Sequence, residues 1–325
     1  MVDSSKAACL VAACLLTLAG CRPAAKPALP PVTVVDPAAF DGARALDEAK
    51  RIVGLGSRDA NTPGAANAAR YLLARLKAQG VADAEIDEFS DYCPDGDCVF
   101  RNVIGRIPGQ GQGLVIVASH YDTKSGIPGF EGANDSASSA AVLVELAGTL
   151  ARGPVLRPEI WLVFFDGEEC KVGYGPRDGF HGSRHLADQM IVRDRIKDTK
   201  AFILLDMIGD RDLTVTFPRN TTPRIISMFF TAASEEGVRG KFALSALDIG
   251  DDHDPFFRLG VPAVDVIDFQ YGSAPGLHDY WHTPEDTIDK ISAESLQTIG
   301  RVTLRVLNRL AAEDVPAAGG VLQAR

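Results

Sequence analysis

Four clusters of side chains able to bind metal or move protons recur along this chain: His120-Tyr121-Asp122, Asn134-Asp135-Ser136, Asp166-Gly167-Glu168-Glu169 and Asp206. Three follow an apolar run directly, and the other opens a helical pattern. Imidazole and carboxylate donors without thiolate suit a catalytic zinc ion that keeps an open coordination position. In the His-x-Asp spacing both side chains lie on one face of an extended segment, so Asp122 can orient the His120 imidazole. Adjacent glutamates point different ways, so one of Glu168 and Glu169 can bind metal while the other stays free to move a proton. Taken alone, Asp135 reads as a helix cap and the two glutamates as a solvated pair. Four such clusters in order exceed what capping and solvation explain.

The elements that must position these residues follow from apolar spacing. Recurrence at three and four residues predicts helices over 41–55, 62–78, 135–151, 183–192, 223–236 and 293–312. Strands are predicted over 84–89, 98–107, 113–119, 160–165, 202–205 and 263–267. The unbroken apolar runs at 113–119 and 160–165 suit buried central strands, with Trp161 in the core. Strands alternating with helices predict an α/β fold, a three-layer α/β/α sandwich around a mixed, mostly parallel sheet. Ligands of such sheets bind beyond the carboxyl ends of the strands, which is where the clusters fall. Gly109-Gln110-Gly111-Gln112-Gly113 precedes a strand instead of following one, so it reads as a turn and not a phosphate loop.

A length of 325 residues, nearly half of them hydrophobic, allows a sizeable core in one catalytic domain, expected over 39–314. The formal net charge of -10 argues against nucleic-acid binding, which needs a basic face. Residues 7–20 form an apolar, small-residue stretch too short to span a bilayer, and they end in Leu18-Ala19-Gly20-Cys21. That ending resembles a bacterial lipobox. It implies removal of a signal peptide, residues 1–20, and acylation of Cys21 as a membrane anchor facing the periplasm or exterior. A Pro- and Ala-rich tether is expected over 21–38 and a flexible tail over 315–325. Cys93 and Cys98 flank Pro94-Asp95-Gly96-Asp97, a turn, and in an oxidising compartment they close a small disulfide loop. The rival reading, a zinc site, lacks a second cysteine pair. Cys170 reads as a buried thiol.

Longer motifs surround these clusters. They include His120-Tyr121-Asp122-Thr123-Lys124, Gly132-Ala133-Asn134-Asp135-Ser136-Ala137 and Phe164-Phe165-Asp166-Gly167-Glu168-Glu169. Further along are Gly182-Ser183-Arg184-His185-Leu186-Ala187, Leu204-Leu205-Asp206-Met207-Ile208-Gly209, Asp251-Asp252-His253, Gly260-Val261-Pro262 and Trp281-His282-Thr283. From about residue 40 to 312 the chain resembles the zinc aminopeptidase superfamily, and within it the animal-type glutaminyl-peptide cyclotransferases. The resemblance implies one Zn2+ held by Asp135, Glu169 and His282, with room for a second at His120 and Asp206. It implies Glu168 as general acid and base, with Asp251 as the acidic partner that forms a hydrogen-bond network with Asp206, both also catalytic. Trp281 and Tyr174 would wall the substrate pocket. The implied partner is the N-terminus of a peptide or protein, and the expected state is a monomer.

Both branches of the superfamily use these metal-site positions. The ungapped match over 164–187, the lack of Asn-Gly after Asp135 and the acidic pair before His253 favour the cyclotransferases. Asn134 is aminopeptidase-like, Tyr174 stands where the animal cyclotransferases carry tryptophan, and Asp265 replaces a histidine near the pocket. The alternative is therefore a co-catalytic zinc aminopeptidase. His181 and His185 read as capping or surface residues, His253 as structural or as one supporting the ligands, and His278 as structural. Asp286 reads as a loop residue or one supporting the ligands.

Overall fold

Strand β3 (Leu114–His120) is buried along its whole length, and its two faces feed two different cores. Val115 and Val117 point into one, while Leu114, Ile116 and Ala118 point into the other. Strand β4 (Glu159–Phe165) obeys the same parity, with Leu162 and Phe164 on the first face and Trp161, Val163 and Phe165 on the second. A strand covered on both faces needs apolar residues at consecutive positions, which is why these runs do not alternate. The computed structural model describes residues 32–313. The expected signal peptide, Cys21, tether residues 21–31 and the tail at 315–325 lie outside the described residues.

Eight strands form one sheet in the order β1-β2-β4-β3-β5-β8-β6-β7. Strands β1 (Asp83–Cys93) and β2 (Gly96–Ile107) make an antiparallel hairpin closed by the Cys93–Cys98 disulfide. Strand β2 runs antiparallel to β4. The centre, β4-β3-β5-β8, is parallel, with β5 at Thr199–Asp206 and β8 at Ala263–Ile267. Two short strands, β6 (Val215–Phe217) and β7 (Phe242–Leu244), extend the far edge. At three residues each, they are too short to give a periodic signal in the sequence.

One face of the sheet is covered by α1 (Gly42–Val53), α2 (Pro63–Ala78), α3 (Ser139–Arg152), α5 (Pro223–Glu235) and α7 (Ala293–Ala312). The other carries α4 (His181–Val192) and the short α6 (Asp254–Arg258). The predicted α/β sandwich with its mixed sheet is the fold observed. Helix starts follow local chemistry: Asp41 accepts from the backbone of Ala43 and Arg44, and Ser292 from that of Ser295. No described helix is long and apolar enough to cross a membrane. The last tether residues dock: Val35 is buried, and its backbone bonds both ways with the Asn308 amide at 2.8 Å. The stretch expected as tether to residue 38 therefore joins the body from Val35 onward, because that side chain finds a core to enter.

Candidate active site

The carboxyl ends of β3, β4 and β5 deliver His120, the Asp166–Glu169 turn and Asp206 to one edge of the sheet. Two turns bring the clusters inward. Gly132 has φ +58°, and a Cβ there would sit 2.5 Å from the Asp135 carbonyl, so the turn into Asp135 needs glycine. Gly167 has φ +69°, and a Cβ there would meet the Phe100 ring at 2.5 Å, so the glutamate turn closes tightly over β2. The helix predicted over 135–151 begins differently. Residues Ala133–Ser138 form a wider, π-type turn with Asp135 outside helical geometry, and regular helix starts at Ser139. A cis peptide joins Asp135 and Ser136.

Asp135 sits at the centre. His120 Nε2 lies 3.1 Å from its Oδ1, and His282 Nε2 lies 3.4 Å from its Oδ2. His120 Nε2 is also 3.2 Å from Asp206 Oδ1, and His282 Nε2 is 3.1 Å from Glu169 Oε1. Two donor triplets follow, Asp135-Glu169-His282 and His120-Asp135-Asp206, each with donor atoms within 4.8 Å of one another. The three residues read as zinc ligands thus converge, and the second pair meets at the same aspartate. Three buried carboxylates face two imidazoles, an excess of negative charge that a divalent cation would neutralise. With no thiolate and three donors per set, the residues fit zinc with an open position.

Electrostatics sort the acids. Burial would raise Asp135, but hydrogen bonds from His120 and His282 outweigh it and hold the carboxyl well below the usual range. Burial would lower His282, yet Asp135 and Glu169 push it up to about 9. Burial drives Glu168 well above the carboxylate range; His120 opposes this, while Glu169, Asp251 and Asp252 add to it. Burial also raises Asp251, with Asp265 and Asp206 contributing. A buried carboxyl whose pKa is pushed up beside a metal-binding set is suited to take up a proton and return it.

Supporting contacts fix this geometry. Asp122 lies 3.4 Å from His120 Nδ1, and its two oxygens accept the backbone N–H groups of Glu168 and Glu169 at 3.2 and 3.1 Å. It therefore ties the imidazole to the glutamate turn, beyond the orienting role expected of it. Asp286 accepts from the backbone of Asn134 and Asp135 and from the Tyr271 hydroxyl. Asn134 bonds the backbone of Met207 and Gly209, locking this turn to the end of β5. Fully buried Arg58 donates to the carbonyls of Tyr121, Glu131 and Gly132, stapling the segments that carry Asp122 and Asp135. Sequence reasoning missed Arg58, because an arginine in a Gly-rich connection between two helices reads as solvated.

Tyr174 and Trp281, read as pocket walls, both line a cavity of about 590 Å³ that also reaches Asp135, Glu168, Glu169, Asp206, Asp251 and His282. Trp281 stacks on His282 at 4.1 Å. Tyr174 does more than stack: its hydroxyl donates toward Glu169 at 3.2 Å and Glu168 at 3.4 Å. His278, read as structural, also lines the cavity. The capping or surface reading of His181 and His185 is corrected. His181 is buried against Phe100 at 4.3 Å and bonded to Asp91, and His185 stacks on Phe89 at 3.8 Å beside Asp87. The aromatic residues of the β1–β2 hairpin recruit both rings.

A mixed sheet whose carboxyl edge gathers imidazoles and carboxylates around one hollow defines an exopeptidase-like α/β protein. Residues 102–307 match peptidase family M28, and the chain belongs to that family. Its relatives narrow the class. A glutaminyl-peptide cyclotransferase of Drosophila melanogaster is 31% identical over 252 residues, 68% of this chain and 69% of its own length. The solved structure of a glutaminyl cyclase from an Acidobacteriales bacterium is 36% identical, with a TM-score of 0.77 over 88% of this chain and 98% of that one. A Zn-dependent exopeptidase from Parabacteroides distasonis is 25% identical, with a TM-score of 0.73 over 85% and 99%. The resemblance read from the motifs is thus borne out.

Proposed function

We propose that this protein is a zinc-dependent glutaminyl-peptide cyclotransferase, converting the N-terminal glutamine of peptides or proteins to pyroglutamate with release of ammonia. The observation that carries this reading is a buried Glu168 carboxyl lining the same peptide-sized cavity as the Asp135-Glu169-His282 donor set. Asp135, Glu169 and His282 would hold one Zn2+. When bound, the ion supplies Lewis-acid polarisation to a substrate carbonyl.

The chain's own groups do the rest. The cavity orients the substrate so that its α-amine nitrogen reaches its own side-chain Cδ, an intramolecular attack that needs positioning more than activation. Glu168 accepts the proton released as the N–Cδ bond forms. It returns that proton to the side-chain nitrogen, which leaves as ammonia when its bond to Cδ breaks. Asp206 and Asp251 hold the charge that develops beside Glu168. Trp281 and Tyr174 shield the site, and the Tyr174 hydroxyl lies within hydrogen-bond reach of both glutamates.

One observation favours a second reading. His120 and Asp206 complete a second donor set on Asp135, which would suit a two-zinc aminopeptidase. The test incubates the zinc-loaded protein with a peptide beginning in glutamine. Ammonia together with an intact, cyclised peptide supports the cyclotransferase, whereas free glutamine supports the aminopeptidase.

The protein acts as a lipoprotein anchored through Cys21 after loss of residues 1–20. The lipobox-like ending supports this, and the Cys93–Cys98 disulfide suits an oxidising compartment. Labelling with a fatty-acid analogue should mark the wild type and not Cys21→Ser. Equal labelling of both would end that assignment.

A further inference from the structure

We infer that the edge of the sheet where its parallel strands begin, opposite the active site, lies against an anionic phospholipid surface, so that the cavity opens away from the membrane. The inference rests on the anchoring at Cys21 and names the face that such an anchor presents.

The described chain enters the body at that edge. Thr33 donates to the Val155 carbonyl just before β4, and Val35 docks on Asn308 near the end of α7. Backbone bonds tie the same turns together: Gln110 and Gly111, before β3, donate to the carbonyls of Leu156 and Arg157 at 3.0 and 2.8 Å. Arg195, before β5, joins them through Glu159 at 2.8 Å. The catalytic groups lie at the other end of strands seven residues long, about 20 Å away. Ten residues, 22–31, separate Cys21 from Val32, a reach of at most about 40 Å. A body of this size is roughly 50 Å across, so the tether is too short to let the opposite edge rest on the same membrane.

Charge and apolar exposure both suit a lipid surface here. Segments 152–159 and 193–200 carry six cations, Arg152, Arg157, Arg193, Arg195, Lys197 and Lys200, against Glu159, Asp194 and Asp198. Flanking charges cancel: Glu313 pairs with Arg224 and Asp254 with Arg258, while Lys77 at the end of α2 balances Asp36. A surplus of three positive charges thus sits at one edge of a chain whose net charge is -10, and carboxylates crowd the cavity at the other. Across about 20 Å, more than twice the Debye length at physiological salt, the acidic end does not cancel the attraction. Exposed apolar side chains stand among these cations: Val34 at 59%, Val155, Ile191 and Val192 at 85%. One exposed valine is ordinary, but several interspersed with cations fit the headgroup region of a bilayer.

The test follows backbone hydrogen exchange of the full acylated protein in detergent, in phosphatidylcholine vesicles, and in vesicles of equal parts phosphatidylcholine and phosphatidylglycerol. Three net charges favour the anionic surface over the neutral one by about 10²-fold. Exchange at 152–158 and 191–198 should therefore slow by about tenfold or more in the anionic vesicles alone, while 245–250 at the cavity is unchanged. Molar salt should abolish the slowing. Arg152→Gln/Arg193→Gln/Lys197→Gln cancels the surplus at exposed positions far from the catalytic groups. It should keep the wild-type circular dichroism and lose the slowing. Equal exchange in the two kinds of vesicle, slowing at 245–250, or slowing that persists in the triple variant overturns the docking face. Slowing in detergent that grows with protein concentration would make the face a contact between copies and overturns it too. If mass spectrometry finds no acyl chain, the anchoring reading fails, and sedimentation of the protein with the same vesicles decides the face by itself. Binding to the anionic vesicles only upholds it, and binding to neither, or to both alike, overturns it.

Discussion

Two acidic regions share the carboxyl edge of the sheet and meet their charges in opposite ways. In the front region, Asp135, Glu169 and Asp206 face the Nε2 atoms of His120 and His282 at 3.1 to 3.4 Å. In the rear region, Asp251, Asp252 and Asp265 are buried with His253, and neither oxygen of Asp265 nor His253 Nδ1 has a hydrogen-bond partner among the described residues. The Asp265 carboxylate stops 3.9 Å from that nitrogen. Imidazoles keep Asp135 ionised in front. Behind, burial pushes Asp252 up to about 7 and Asp265 well above its ordinary value, the latter helped by Asp206 and Asp252. The same residue type on the same edge thus serves two ends. The front is a receptacle for a cation. The rear is a neutral, proton-holding layer that adds no rival negative charge at low pH.

Removing the cation breaks the comparison most completely. Dialysis against a chelator should take ammonia release to background and lower the melting temperature. Added Zn2+ should restore both, because a ligand at 1,000 times its Kd stabilises by about 4 kcal/mol. Activity that persists without metal would leave the front region with no function as a receptacle. Glu168→Gln comes next. It removes the proton carrier at the boundary of the two regions, and kcat should fall by roughly 10² to 10⁴ while zinc stoichiometry is unchanged. Loss of zinc in that variant would make Glu168 a ligand instead. Asp286→Ala should act more mildly. It frees the Asn134–Asp135 backbone behind the front region, so zinc affinity should weaken by roughly 10- to 100-fold, measured by competition with a chromophoric chelator. Unchanged affinity would mean that the turn holds Asp135 without it.

The front region was far more legible in the sequence than the rear. Its residues end long apolar strands, so strand order and the edge rule bring His120, Glu168, Glu169 and Asp206 together before any coordinates are seen. His282 gave no such signal, since it lies in a loop after β8, and only the family resemblance singled it out. The rear region depends on α6 and β7, of five and three residues, and on the loop at 245–250, segments too short or irregular for any periodicity to show. Arg58 was unreadable for a related reason. Burying a lone arginine is expensive unless backbone carbonyls converge on it, and which carbonyls converge is a tertiary fact. The π-type opening of the helix at Ala133–Ser138 replaced the regular start that the apolar spacing predicted, because Gly132 and the Asp286 contacts dictate that turn.

The smallest effect tests the rear region through stability alone. In the metal-free protein, a carboxyl whose folded pKa is raised contributes stability that is present below its unfolded pKa and lost as pH rises through the folded value. Asp252 and Asp286, both pushed by burial up to about 7, should therefore make the protein less stable between pH 4 and 8 as pH rises. His253 acts with the opposite sign. Burial lowers it to about 4, so its contribution is present above its unfolded pKa of 6.5 and lost as pH falls through 4. Between pH 4 and 6.5 His253 offsets only one of the two carboxyls, so metal-free stability should still fall as pH rises, and fall more steeply above 6.5. Asp265 belongs to the first set, and Asp265→Asn keeps its shape while removing its charge. The variant should match the wild type near pH 4 and exceed it at pH 8, with its slope of stability against pH shallower by up to about 1.4 kcal/mol per unit. Urea midpoints at four pH values measure that slope. Parallel slopes would show that Asp265 is ionised in the folded state, and the rear region would then be a second charged cluster and not a neutral layer.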